Sequence, residues 1–293
     1  MTRTGTTGQS ALLAVGLAAM GACLSAVDAA IVRALNGGVH PFVIGFFRAA
    51  FGALAVLPLA LWRPSLLRSV YPVRQHALRA GLKLVALIAF FAAFAIGPLT
   101  DVTAIAFTSP VFVVIGAAFM LGERLGALRI LAIAVGFAGA LVVAGPAGTG
   151  LTWAIGFALS GAIMQAVIQL MLKSMSSGDS TATLVIWNLF LTVPMAALVA
   201  LPVWTTPTLH EFGLLALQGV LGAICMALMT HAFSLADASI VAPVDFLRLP
   251  LIALMAWMLF SETARASTWV GGGLICAAAL IASRASGRAR KPD

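Results

Sequence analysis

Apolar residues run along this chain in blocks of about twenty, separated by short clusters of Gly, Pro, Ser, Asn or charged residues. A block of that length, coiled as a helix rising about 1.5 Å per residue, crosses a hydrocarbon layer of about 30 Å. The pattern predicts ten such helices, at 10–35, 40–61, 77–98, 100–122, 127–145, 151–173, 181–203, 211–235, 238–260 and 267–283. Turn chemistry falls at the breaks: "NGG" after the first, "WRP" after the second, "AGPAGTG" after the fifth, "SSGDS" after the sixth and "TTPT" after the seventh.

Composition narrows the class. The 293 residues are 62% hydrophobic and 9% charged, against about 25% charged in a soluble domain. The expected fold is an all-α polytopic membrane protein, with the lipid bilayer as its main partner. A net charge of +8 has a topological origin when basic residues flank spans, so no nucleic-acid partner is expected. Cys23, Cys225 and Cys276 all fall within apolar spans, which favours packed thiols over disulfides. Arg3 precedes an apolar run too long for a signal segment and without a convincing cleavage site, so the first helix is expected to be retained.

Lys and Arg tend to stay on the cytoplasmic side, and their placement orients the ten helices. With the N-terminus inside, the inner side receives Arg3, Arg63, Arg68, Arg74, Arg79, Lys83, Arg124, Arg129, Lys173, Arg284, Arg288, Arg290 and Lys291. The outer loops receive Arg33 and Arg265, while Arg48 and Arg248 lie within spans. Both termini are therefore expected in the cytoplasm.

The two halves resemble each other. "LTDVTAIAFTSPVFVVIGAAFMLGER" is echoed by "LADASIVAPVDFLRLPLIALMAWMLFSE", matching Asp101 with Asp237, Pro110 with Pro250 and Glu123 with Glu262. Two five-helix repeats follow, expected at 1–147 and 148–284, with 285–293 a basic cytoplasmic tail. Five is odd, so the second repeat enters the membrane with opposite polarity. Inverted repeats of this kind place a central site at their interface and allow alternating access.

These segments, with "FVIGFFRAAFGALAVLPLAL" in the second helix, resemble the drug/metabolite transporter superfamily and its EamA-type branch of ten-helix carriers. The resemblance covers nearly the whole chain and implies a carrier of small molecules in the inner (plasma) membrane of a bacterial cell. Some branches export amino acids or related metabolites, and others take up cofactors such as riboflavin. Length and plan are similar to the family's aromatic amino-acid exporters. Export of aromatic or other neutral amino acids is the first expectation, and import of riboflavin or another metabolite the alternative.

Charges inside spans are costly and normally face a partner or a water-filled cavity. Asp245 and Arg248, three residues apart and flanked by Pro243 and Pro250, predict an irregular polar segment in the ninth span. Arg248 is read either as a contact for a substrate carboxylate or as half of a structural pair with Asp245. Arg48 matches the second-helix arginine that the resemblance implies, and either clamps a carboxylate or pairs with Asp28. Asp28, Asp245 and His231 are candidates for proton coupling, His231 as a buried histidine near the inner end of the eighth helix.

Asp101 and Asp237 are read as helix caps, and Glu123 and Glu262 as partners in interfacial salt bridges. Trp187 and Asn188, matching Phe47 and Arg48 by repeat, and Phe46, Phe246 and Trp257 are candidates to line an apolar cavity. Gln165 and Gln169 read more simply as interhelical glue. Gly136, Gly139 and the run 271–273 serve close helix packing.

No GxxxxGK[ST] or HExxH motif and no clustered metal ligands occur in the sequence. Neither catalysis nor a metal or cofactor is expected. A small-molecule substrate is expected, and a monomer suffices. A channel is the competing class, separated from a carrier by saturation and trans-stimulation.

Overall fold

The computed structural model describes residues 8–35, 38–96, 105–106, 108–122, 126–144 and 153–260, together with 270–271, 273–274, 277–278 and 281. Helices α1 (Gly8–Ala34), α2 (Pro41–Trp62), α3 (Val73–Ile96), α4 (Ser109–Met120), α5 (Ala127–Ala144), α6 (Trp153–Met175), α7 (Thr181–Ala200) and α8 (Leu209–Leu235) follow the order predicted from hydropathy. Among the described residues there is no strand. The span expected at 238–260 is divided into a helical turn (Ala238–Val241), a 3-10 segment (Ala242–Leu247) and α9 (Arg248–Phe260). Most of the span expected at 267–283 lies outside the described residues, as do Asp101, Glu123, Glu262, Cys276 and the side chain of Trp257.

Local sequence explains the helix ends. His40 caps α2 by accepting the N–H of Phe42, and Pro41 starts the helix where no amide donor is needed. Ser180 caps α7 through the N–H of Thr183. Thr208 and Glu211 form a reciprocal capping box on α8. After α4, Gly122 takes φ +65, the left-handed residue that commonly ends a helix.

Five helices among the described residues are long and apolar enough to cross a membrane: Gln9–Val32, Pro41–Trp62, Trp153–Met175, Thr181–Val203 and Leu209–Leu235. Large apolar side chains face outward, with Phe119 86%, Trp153 82% and Leu209 90% exposed. In water such a surface would be a liability, whereas lipid satisfies it.

What holds the helices together is close approach of small residues. Ala14, Ala18, Ala22 and Ala26 form a buried seam along α1, and Ala154, Ala158, Ala162 and Ala166 form its counterpart along α6. Each recurs at four-residue spacing, so one helix face stays narrow enough for tight contact. α1 packs along α8, and α6 along α3. The correspondence extends to single contacts: Gly21 of α1 sits against Met229 of α8, and Gly161 of α6 against the Phe90 ring of α3. α4 lies on α6 as α9 lies on α1, while α2 packs on both α7 and α8.

One end of the bundle is fastened by polar groups. Asp179, in the α6–α7 turn, accepts the Val70 N–H at 2.7 Å and the Ser69 hydroxyl, and lies 3.4 Å from His76 Nε2. Ser69 Oγ is also 2.8 Å from His76 Nε2. Trp187 stacks on His76 with ring centroids 5.5 Å apart and donates its indole N–H to Leu67 O at 3.2 Å. At that end too, Lys173 donates to the carbonyls of Phe233 and Ala236 at the C-terminus of α8, where a cation is favoured.

Three expectations are corrected here. Arg79 and Lys83, counted above with the inner flanking charges, lie within α3. Arg79 is 1% exposed and donates to Leu184 O at 2.7 Å. A cation in the first half of a helix reads like a flanking charge until its neighbours are known. Asp237 stands at the N-cap position, but its side chain makes no cap bond and instead accepts from Arg129 at 2.8 Å, because an arginine on α5 reaches it. Cys23 is exposed rather than packed, because the buried seam of α1 runs through its alanines.

Candidate functional site

The site grows from the two deep arginines. Arg48 is placed by the capped start of α2, and its guanidinium lies against Gly222 of α8. Its Nε donates to Asp28 Oδ1 of α1 at 3.2 Å. The pair spans two helices of the first repeat and rests on one of the second. The side chains of Arg48 and Asp28 keep 33% and 20% of their surface accessible. Charges do not remain accessible inside apolar helices unless a polar cavity meets them.

The broken span supplies a second pair. Pro243 and the 3-10 winding place Asp245 and Arg248 on one face, with Oδ2 and a guanidinium nitrogen 3.5 Å apart and 19% and 37% of the side chains accessible. Cys225 of α8 lies near both pairs. Its Sγ lies 3.1 Å from Ser25 Oγ of α1 and donates to Gly21 O at 3.3 Å. It also lies within electrostatic reach of Arg48, Asp28 and Asp245. The α1 helix packs on both α8 and the 3-10 segment, which draws the two pairs into one neighbourhood.

A residue missed from the sequence completes the set. Lys83 of α3 lies within reach of the charges of Arg48, Asp28 and Arg79. The available signal was its helical register, which puts it one turn beyond the buried Arg79 on the same face.

Other candidates are placed elsewhere. Phe46 joins an aromatic cluster at the α1–α2 and α7–α8 end, 5.2 Å from Phe47 and 5.7 Å from Trp204 between ring centroids. Trp187 belongs to the fastening around His76. Phe246 is fully buried against Gly136 of α5; it fills the core instead of lining a cavity. Asn188 is buried with its Oδ1 lacking a hydrogen-bond partner among the described residues, and Gln169 is similar. His231 was expected to be buried and is exposed, with Nδ1 3.3 Å from Ser234 Oγ. It faces away because the α8 register turns Ala232 and Phe233 into the core. No group of metal ligands occurs among the described residues.

Gly222 gives a direct test of the first pair. A β-carbon there would stand 3.0 Å from Arg48 Cζ and 3.1 Å from Nε. The obstacle is the end of a flexible side chain, so Gly222→Ala is expected to keep the fold and displace the guanidinium from Asp28. Counterflow is expected to fall roughly tenfold, with the melting temperature within a few degrees of wild type.

Comparison with known proteins fits this architecture. Residues 12–145 and 148–284 each match the EamA-like transporter family. A riboflavin transporter of Rhizobium johnstonii is 34% identical over 251 residues, 84% of this chain and 82% of that protein. An S-adenosylmethionine uptake transporter of Rickettsia bellii is 28% identical, covering 88% of each chain. A pseudopaline exporter of Pseudomonas aeruginosa is 30% identical over 92% of this chain and 95% of that protein. A protein of known crystal structure aligns with a TM-score of 0.81 over 97% of this chain and 99% of its own, at 19% identity, which shows a shared fold. With the family matched over both halves and the apolar helices in place, this chain belongs to the EamA-like transporter family as a two-repeat, multi-pass membrane protein.

Proposed function

We propose that the chain is a plasma-membrane secondary carrier for a small metabolite bearing charges of both signs, of the amino-acid or amino-acid-derived kind. The observation that carries this reading is the constellation of Asp28, Arg48, Lys83, Asp245 and Arg248, drawn from both repeats and partly accessible between apolar helices. Alternating positive and negative groups complement a zwitterion at both of its ends. Export of aromatic or other neutral amino acids is one form of this reading. The name of the S-adenosylmethionine relative supports the amino-acid-derived form.

The carrier works, in this reading, by alternating access between two inverted five-helix repeats, 1–147 and 148–284, with ten helices and both termini cytoplasmic. The packing supports it: exchanging the halves turns α1 on α8 into α6 on α3, and α9 on α1 into α4 on α6. Relatives named for uptake and for export align with this chain over most of its length, so in this reading direction rests with gradients and coupling. The second reading is riboflavin uptake, favoured by the 34% identical relative.

Counterflow into proteoliposomes tests both. Vesicles preloaded with unlabelled amino acids or riboflavin receive labelled phenylalanine, threonine, S-adenosylmethionine or riboflavin outside. Saturable accumulation of an amino acid or S-adenosylmethionine, driven by the internal pool, is expected. Exchange of riboflavin alone turns the reading to vitamin uptake, and flux without saturation or trans-stimulation points to a channel.

A further inference from the structure

We infer that Lys83, rather than either deep arginine, anchors the carboxylate of the transported solute. The inference rests on the carrier reading and adds the residue that reads the substrate's negative end.

The argument is one of pairing. Both arginines are matched: Arg48 holds Asp28 at 3.2 Å and Arg248 holds Asp245 at 3.5 Å. Arg79 donates to Leu184 O and, although its Nη1 has no partner among the described residues, its 1% exposure closes it to a solute. Among the described residues Lys83 makes neither a hydrogen bond nor an ion pair. Two of the charged groups acting on it are the cations Arg48 and Arg79, and the carboxylate within reach, Asp28, already belongs to Arg48.

An ammonium has three donors and hydrates strongly, so leaving it without an acceptor inside a membrane is costly. Lys83 nevertheless lies deep among the helices and retains accessible surface. A charge inside a span that has no partner normally faces a water-filled cavity.

An incoming carboxylate meets an unopposed positive charge at Lys83, whereas at Arg48 the Asp28 carboxylate on Nε already offsets the guanidinium charge and repels a second carboxylate. Once seated, the carboxylate also lies in the field of Arg48, and the solute's ammonium finds Asp28 or Asp245. The geometry thus orients a zwitterion with its negative end toward α3 and its positive end toward α1 and the 3-10 segment.

Cys225 makes this testable without knowing the substrate, because it too lies within electrostatic reach of Lys83. Full-length protein carrying Cys23→Ser and Cys276→Ser, held in lipid nanodiscs open on both faces, is treated at low salt with an anionic sulfonatoethyl methanethiosulfonate or a cationic trimethylammonium analogue. Rates are normalised to those of a small thiol in solution. With Lys83 or Lys83→Arg the anionic reagent is expected to react roughly tenfold faster, and Lys83→Met is expected to remove that preference. A ratio unchanged by Lys83→Met, or no reaction with either reagent, overturns the assignment.

Transport separates this inference from the reading beneath it. Lys83→Met is expected to raise the KM for phenylalanine roughly tenfold and to leave phenylalaninamide unchanged. Equal KM values for wild type and Lys83→Met with phenylalanine sink the inference and leave the carrier standing. Wild-type protein that exchanges no charged solute sinks the carrier reading, while the reagent ratio still decides whether Lys83 attracts an anion.

Discussion

Gly219→Val is expected to abolish the folded protein. Gly219 of α8 faces α2 so closely that a β-carbon would overlap Phe51 Cβ and stand 2.9 Å from Gly52 N and 3.1 Å from Arg48 O. Two of those atoms are backbone and cannot rotate away. Gly52 answers from the other side, where a β-carbon would meet Gly219 O at 3.2 Å and Leu189 Cδ2 at 3.1 Å. The helices touch main chain to main chain, which only two glycines permit. Overpacking a core costs about 1–3 kcal/mol where side chains can yield, and here separation of α2 from α8 is the remaining escape. Valine at Gly219 is expected to give aggregated or unstable protein by size-exclusion chromatography in detergent. Gly16→Val, where a β-carbon meets nothing within 4 Å, is the control. A monodisperse Gly219→Val protein with wild-type melting would refute the close contact.

Asp179→Ala is the second large effect expected. Asp179 ties the α6–α7 turn of the second repeat to the α2–α3 connection of the first through Ser69, Val70 and His76. His76 and Asp179 side chains are 0% and 2% exposed, so water does not replace the lost acceptor. His76 Nδ1 already lacks a partner among the described residues; removing the carboxylate strands the Val70 amide and leaves Ser69 Oγ to hold His76 Nε2 alone. Unmet donors of this kind cost about 1–3 kcal/mol each. Asp179→Ala is expected to lower the melting temperature by several degrees, and Asp179→Asn, which keeps an acceptor, by less. The order of the two variants is the decisive result, and equal melting of both with wild type refutes the fastening.

The order of helices α1 to α8 and the irregular winding around Pro243 were legible in the sequence. Each depends on neighbours within a few positions. An apolar block or a proline acts through the local chain, so its consequence is visible before folding. The Arg48–Asp28 and Asp245–Arg248 pairs were also among the alternatives, since a charge within a span must find an opposite charge or water.

Errors arose where residues distant in sequence decide an environment. Lys83 and Arg79 look like flanking charges until α3 is packed on α6 and α7. His231 looks buried until the α8 register turns Ala232 and Phe233 inward instead. Phe246 looks like a cavity wall until Gly136 of α5 receives its ring.

The sequence by itself determined that this chain is helical, lies in a membrane and is built from two related halves, because hydropathy and repetition are properties of the linear order. Only the tertiary structure decided which charges are matched. Arg48 and Arg248 find carboxylates while Lys83 does not, because ion pairing falls off within a few ångströms and those separations are set by how α1 packs on the broken span and α3 on α6 and α7.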